Sequence, residues 1–120
     1  MADLLIVEDD PTLLEGLTEL LTMQGHQVRG ADCGEAALEA IETQPPELVV
    51  SDVLMPGMNG TELLETVRRR PDWAAIPFVF VSASITPVVR RDLATMPGVT
   101  FLLKPFDIER LFEAVMEALA

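Results

Sequence analysis

The sequence predicts a doubly wound α/β domain, with five parallel strands in one sheet and five helices over its two faces. Three observations predict it. Short apolar runs alternate five times with segments whose apolar residues recur at helical spacing. The runs Leu4–Val7, Leu48–Val50 and Phe78–Val81 are apolar at every position, as in strands buried on both faces. The connections between runs and helices are short, so right-handed crossovers distribute the helices over both sides of the sheet.

Each element has its own signal. Leu4–Val7 is the first strand and stops at three acids, Glu8, Asp9 and Asp10. Asp10 is placed to cap a helix that has Pro11 in its first position. In that helix Leu13, Leu14, Leu17, Leu20 and Leu21 share a face, and Gly25 closes it. His26, the only histidine, is read as a turn residue rather than a ligand. Residues 27–31 form a weaker strand, polar enough for a sheet edge. A second helix runs from near Gly34 to Thr43 with Ala37, Leu38 and Ile41 inward, and Pro45-Pro46 ends it. The third strand, from Leu48, runs into Asp52 and the turn Met55-Pro56-Gly57.

Asn59 is then placed to cap a third helix with Leu63, Leu64 and Val67 inward. Arg68-Arg69-Arg70 at its end complements the helix dipole, which favours a solvated helix terminus over an anion site. Residues 71–77 read as a loop with Trp73 as a lid over the neighbouring helix. Phe78–Val81 is the fourth strand and ends at Ser82. Pro87 to Thr95 is a short helix candidate between prolines. Residues 100–103 form the last strand, ending at Lys104-Pro105. Asp107 then caps a last helix with Ile108, Leu111, Phe112, Val115 and Leu119 inward.

Composition narrows the function classes. The chain, residues 1–120, reads as one domain, 49% apolar, enough to build a core without staples. A formal charge of −12 excludes direct DNA binding, because a phosphate backbone would be repelled. It favours cationic partners, including divalent metals. The single Cys33 rules out an internal disulfide and suits a reducing compartment. The amino-terminal run lacks a basic flank and is too short for a signal peptide, and no segment has the length of a membrane span. These features lead to the expectation of a cytoplasmic domain without membrane contact.

In a parallel sheet all strand ends of one polarity share a rim, and ligands bind at the carboxyl-end rim. That rim collects Glu8 and Asp9 from the first strand, Asp52 from the third, Ser82 from the fourth and Lys104 from the fifth. Three carboxylates in one cleft repel, each close pair by roughly 4 kcal/mol at about 4 Å with an effective dielectric of about 20. Folded proteins tolerate this when a cation sits among the oxygens or a proton is retained. An oxygen-only ligand set without His or Cys suits Mg²⁺. Lys104 is the only lysine, every other cation being arginine. Its flexible ammonium can reach across a cleft to a carboxylate or phosphoryl oxygen.

Through these residues the chain resembles a response-regulator receiver domain, the phosphoacceptor module of two-component phosphorelay signalling. The matching pieces are Ile6-Val7-Glu8-Asp9-Asp10-Pro11, the run from Ser51 through Asp52 to Gly60, Val81-Ser82-Ala83 and Lys104-Pro105-Phe106. The resemblance spans Asp3 to Ala120. It implies a CheY-like (flavodoxin-like) fold with strand order 2-1-3-4-5. It implies Asp52 as the phosphorylated aspartate, Glu8, Asp9 and Asp52 with the main-chain carbonyl of Leu54 as the Mg²⁺ site, and Asp9 as the more direct ligand of the acidic pair. Ser82 resembles the hydroxyl that bonds the phosphoryl group, Lys104 its charged partner, and Phe101 the aromatic switch residue. A cis Lys104-Pro105 bond is implied as well. The implied partners are a sensor histidine kinase or histidine phosphotransfer protein, an output protein of unknown identity, and a phosphorylation-dependent homodimer. The implied activity is not an enzyme's turnover but self-assisted phosphotransfer and dephosphorylation.

Departures from the pattern carry expectations of their own. Leu54 and Ser84, each two residues past a site residue, offer no carboxylate or amide to orient water, which predicts a long-lived phosphoryl group. Thr95-Met96-Pro97-Gly98-Val99 replaces a smaller turn, Pro87 and Pro97 compress the fourth helix, and Phe101 lacks a hydroxyl, so that its switch would rest on packing. A haloacid-dehalogenase-like phosphatase would want an aspartate at position 54 and a cap domain that a chain of this length is not expected to hold. A flavodoxin-like cofactor binder would want a glycine- and hydroxyl-rich loop where Glu8-Asp9-Asp10 stands. The chain reads either as a stand-alone regulator that works by protein contact or as a module excised from a hybrid kinase or larger regulator.

Overall fold

The computed structural model describes residues 2–82, 87, 91 and 95–120. Its elements in chain order are β1 (Asp3–Val7), α1 (Pro11–Met23), β2 (Gln27–Ala31), α2 (Gly34–Thr43), β3 (Leu48–Asp52), α3 (Gly60–Arg68), β4 (Phe78–Ser82), β5 (Val99–Leu103) and α4 (Ile108–Leu119). The strands form one parallel sheet in the order β2-β1-β3-β4-β5. The polar β2 is an edge strand, as its composition predicts. The described residues contain four helices. The helix expected from Pro87 to Thr95 falls, apart from Pro87, Arg91 and Thr95, outside the described residues, as does Ser84.

Strand alternation divides the core in two. Leu5, Val7, Val49, Phe78 and Phe80 face α2 and α3, where they meet Ala37, Ile41, Leu63, Leu64 and Val67. Leu4, Ile6, Leu48, Val50, Val79 and Val81 face α1 and α4, where they meet Leu17, Leu21, Leu111, Ala114 and Val115. Every residue of β3 and β4 is buried, because both faces are covered. Trp73 closes one edge of the α2–α3 side at 4% exposure.

The capping predictions divide. Asp10 accepts from the Thr12 and Leu13 amides with Pro11 in the first turn of α1. Asn59 and Glu62 form a reciprocal capping box at α3. Asp107 stands at the α4 N-cap without a side-chain cap hydrogen bond, and Ile108, expected inward, is 49% exposed. The inward role passes to Ala114, which is small enough to let α4 approach the sheet. The arginines after α3 are also more engaged than a solvated terminus. Arg68 donates to the carbonyls of Ile76 (2.6 Å) and Pro97 (3.3 Å) and lies over the Phe78 ring, and Arg70 stacks on Trp73 at 3.9 Å. Their planar guanidinium groups find carbonyls and aromatic faces at hand, and Arg68 ties the end of α3 to the turn before β5.

Candidate metal and phosphoryl site

Strand register builds the site. Val7 pairs with Ser51, Asp52 with Val81, and Ser82 with Leu103. The next residue along β1 is Glu8 and the next along β5 is Lys104, so Glu8, Asp52, Ser82 and Lys104 line one rim. Adjacent strands lie about 4.8 Å apart, which puts the β5 end roughly 10 Å from β3 and farther still from β1. Only a long side chain spans that gap. The Lys104 ammonium does, reaching Asp52 Oδ2 at 3.3 Å and Glu8 Oε1 at 3.2 Å. The Lys104 amide donates to the Ser82 carbonyl at 2.8 Å, and the Lys104-Pro105 bond is cis.

The carboxylates of Glu8, Asp9 and Asp52 offer oxygens that all lie within 4.8 Å of one another. Glu8 is 2% exposed, Asp52 is buried and Asp9 is exposed. Burial raises the Glu8 carboxyl above its ordinary range; the Asp10 amide pulls it down, Asp52 pushes it up, and Lys104 opposes the rise. Burial pulls Lys104 down, but the carboxylates of Asp52 and Glu8 outweigh it and hold the ammonium above its usual range. Lys104 thus pairs with two of the three carboxylates, and a hard divalent cation with oxygen preference fits the remaining negative charge and the donor set.

Asp52 Oδ1 accepts from the Leu54 amide at 3.3 Å, so the loop after β3 orients the carboxylate. The Leu54 side chain is 61% exposed beside it. Ser82 is 1% exposed at the end of β4. Phe101 stands half-buried on β5 and stacks on Phe80, centroids 5.7 Å apart. The residues named from the sequence therefore share one rim, apart from Phe101, which sits one layer inside it. Two contacts are not foreseen. Gly60 packs on the Asp52–Val53 main chain, and Phe80 lies between Gly60 and Phe101. The signal for Gly60 is a glycine in the first position of a helix already capped by Asn59, where a better helix former would cost nothing locally.

The family model described as response regulator receiver domain matches residues 4–116. Response regulator protein FleR of Pseudomonas aeruginosa is 37% identical over 115 residues, 95% of this chain but 24% of FleR. Protein PilH of the same organism is 31% identical over 120 residues, 100% of this chain and 99% of PilH. The signal receiver domain of a signal transduction histidine kinase from Syntrophus aciditrophicus superposes with a TM-score of 0.89 at 32% identity, covering 99% of this chain and 90% of that one. The chain thus spans about a quarter of one such relative and nearly the whole of another.

Proposed function

The chain belongs to the response regulator receiver domain family, and on that premise we propose that Asp52 accepts a phosphoryl group from a phosphohistidine. The donor is a sensor histidine kinase or a histidine phosphotransfer protein in the cytoplasm, and the phosphorylated chain acts by binding an output protein. An Asp52 carboxylate oxygen attacks phosphorus, the P–N bond breaks, and its electron pair returns to the imidazole of the donor. The product is an acyl phosphate on Asp52. We assign the chain no turnover of a free substrate.

The observation that carries this reading is the Lys104 ammonium bridging Asp52 and Glu8 at one sheet rim. Phosphoryl transfer depends on positioning and charge compensation more than on covalent assistance. Lys104 supplies a positive charge near the equatorial oxygens, and the Leu54 amide holds the carboxylate in orientation. Glu8, Asp9 and Asp52, with the main-chain carbonyl of Leu54, would hold Mg²⁺, which when bound supplies positive charge against the phosphoryl oxygens. Ser82 offers a hydroxyl to the new phosphoryl group, and its movement would make room for Phe101 to turn inward. Such a switch requires only a few kcal/mol of differential stabilisation to change the population of output-competent molecules.

Intact mass after incubation with Mg²⁺ and acetyl phosphate tests the reading, with Asp52→Asn alongside. A single phosphoryl gain that needs Mg²⁺ and is lost in the variant is expected. No gain from acetyl phosphate or from a phosphorylated histidine phosphotransfer protein would overturn it.

A further inference from the structure

The loop that follows Asp52 leaves the sheet at Val53 and returns to it at Gly60. The return is closed by a main-chain hydrogen bond, the Gly60 amide donating to the Val53 carbonyl at 2.8 Å. At this point the first turn of α3 lies directly on the end of β3. A Cβ built on Gly60 would fall well inside van der Waals contact of the Asp52 carbonyl oxygen. It would also lie 2.9 Å from the Phe80 ring and 3.0 Å from the Val53 Cα.

This glycine is not needed for its backbone angles. Positive φ occurs at Gly25, Gly57 and Gly98 among the described glycines, and not at Gly60. Its lack of a side chain is therefore a matter of space. The obstacle also differs from that at Gly34, where the atoms nearest an added Cβ are the Cβ, Cγ and Sδ of the Met58 side chain. At Gly60 the obstacle is main chain, and it is the main chain of Asp52 itself. A methyl group there cannot be accommodated by a rotamer change; the Asp52–Val53 peptide or the start of α3 must move.

We propose that Gly60 is a positioning residue for phosphoryl acceptance, because the absent side chain lets α3 clamp the Asp52–Val53 peptide and so fixes where the Asp52 carboxylate stands. The inference rests on Asp52 being the acceptor. Two hydrogen bonds carry the constraint to the carboxylate. Gly60 holds Val53, and the next amide, Leu54, donates to Asp52 Oδ1. The same contact touches the Phe80 ring, which stacks on Phe101, so the clamp is in packing contact with the proposed switch residue. A misplacement of about 1 Å at a reacting atom can cost on the order of 10² in rate.

The test compares Gly60→Ala with Val67→Ala, a core truncation on the far part of α3, in urea unfolding and in the rate of acetyl-phosphate labelling with Mg²⁺. Gly60→Ala is expected to label at least roughly tenfold more slowly in its folded form, whereas Val67→Ala loses stability and labels within about twofold of the parent. The amide resonances of Val53 and Leu54 should shift in Gly60→Ala and stay in place in Val67→Ala. Gly60→Ala in a Phe80→Leu background separates the two contacts. Labelling that remains slow relative to Phe80→Leu alone supports the main-chain clamp, and labelling restored to the Phe80→Leu rate overturns it. That background also relieves the ring contact should Gly60→Ala alone not fold. Parent-like labelling by folded Gly60→Ala would overturn the inference while leaving Asp52 as acceptor. If the parent is labelled neither by acetyl phosphate nor by a phosphorylated histidine phosphotransfer protein, the functional reading fails, and unshifted Val53 and Leu54 amides in Gly60→Ala would then overturn the clamp independently.

Discussion

At the scale of single residues, the site is decided by reach. Glu8 and Asp52 stand on neighbouring strands, but Lys104 has a whole strand between it and Asp52, and its flexible stem brings the ammonium to both carboxylates. A shorter side chain at 104 would leave Glu8, at 2% exposure, without its cation. Leu54 is the second decisive residue. Its exposed side chain flanks Asp52 without any group able to orient water, so Leu54→Asn should speed autodephosphorylation of the phosphorylated protein severalfold, followed by loss of the added mass with time. An unchanged lifetime would remove Leu54 as the determinant. At the opposite rim, His26 Nδ1 accepts from the Ala2 amide, and burial lowers its pKa while Glu47 opposes the shift. A histidine whose folded pKa lies below its unfolded value contributes stability above the unfolded pKa, about 6.5, and loses it as the pH falls through the folded one. The urea midpoint of the parent should therefore fall more between pH 7.5 and pH 5 than that of His26→Gln.

At the scale of elements, the helix starts show how similar sequences do different work. Asn59 and Asp107 both precede amphipathic helices, and both read as caps. Asn59 Oδ1 accepts from the Glu62 amide while the Glu62 carboxylate accepts from the Asn59 amide. Asp107 makes no such side-chain bond. Asn59→Ala should cost about 1 kcal/mol in urea unfolding, and Asp107→Ala no more than about 0.5, through the helix dipole alone. Equal losses would mean that the side-chain hydrogen bond of Asn59 adds nothing to stability beyond what Asp107 supplies without one. The α3 cap also matters for position, because Gly60 follows it and rests on Asp52. The end of the same helix is tied by Arg68 to the carbonyls of Ile76 and Pro97. One helix is thus held at its start against the acceptor strand and at its end against the turn entering β5.

At the scale of the whole molecule, a formal charge of −12 on 120 residues makes the folded state self-repelling, and the repulsion is concentrated where three carboxylates meet. Any added salt should therefore stabilise the protein by screening. Mg²⁺ should do more than NaCl at equal ionic strength, because a ligand of the native state adds stability by mass action. In Asp52→Asn the extra stabilisation by Mg²⁺ should shrink, leaving mainly the screening component. Equal Mg²⁺ responses in the two proteins would place the cation elsewhere. Stripping the metal with EDTA should lower the thermal midpoint of the parent more than that of the variant.

Much of this was legible in the linear chain. All-apolar runs specify strands covered on both faces, because an exposed face would not tolerate them, and three such runs among five strand candidates alternating with helices leave few ways to build a sheet. The polar 27–31 segment, placed at an edge, follows from the same solvation argument. The acidic triplet, Asp52, Ser82 and Lys104 were visible because each ends a strand, and parallel strands bring like ends to one rim. Other features depended on contacts between distant segments. Asn59 is set apart from Asp107 locally, by Glu62 three residues on where Asp107 has Arg110, but Ile108 has the right spacing to be buried and yet lies outside, with Ala114 inward in its place. Arg68 and Arg70 look like solvated helix-end charges until Ile76, Pro97 and Trp73 arrive beside them. Gly60 belongs to the run that carries the resemblance, but its contact with the Asp52 main chain appears only once the fold lays it there. Periodicity and hydropathy report how each segment meets solvent, and so they determined the layers and the rim. Which atoms finally touch depends on how the layers pack in three dimensions, and that only the tertiary structure decided.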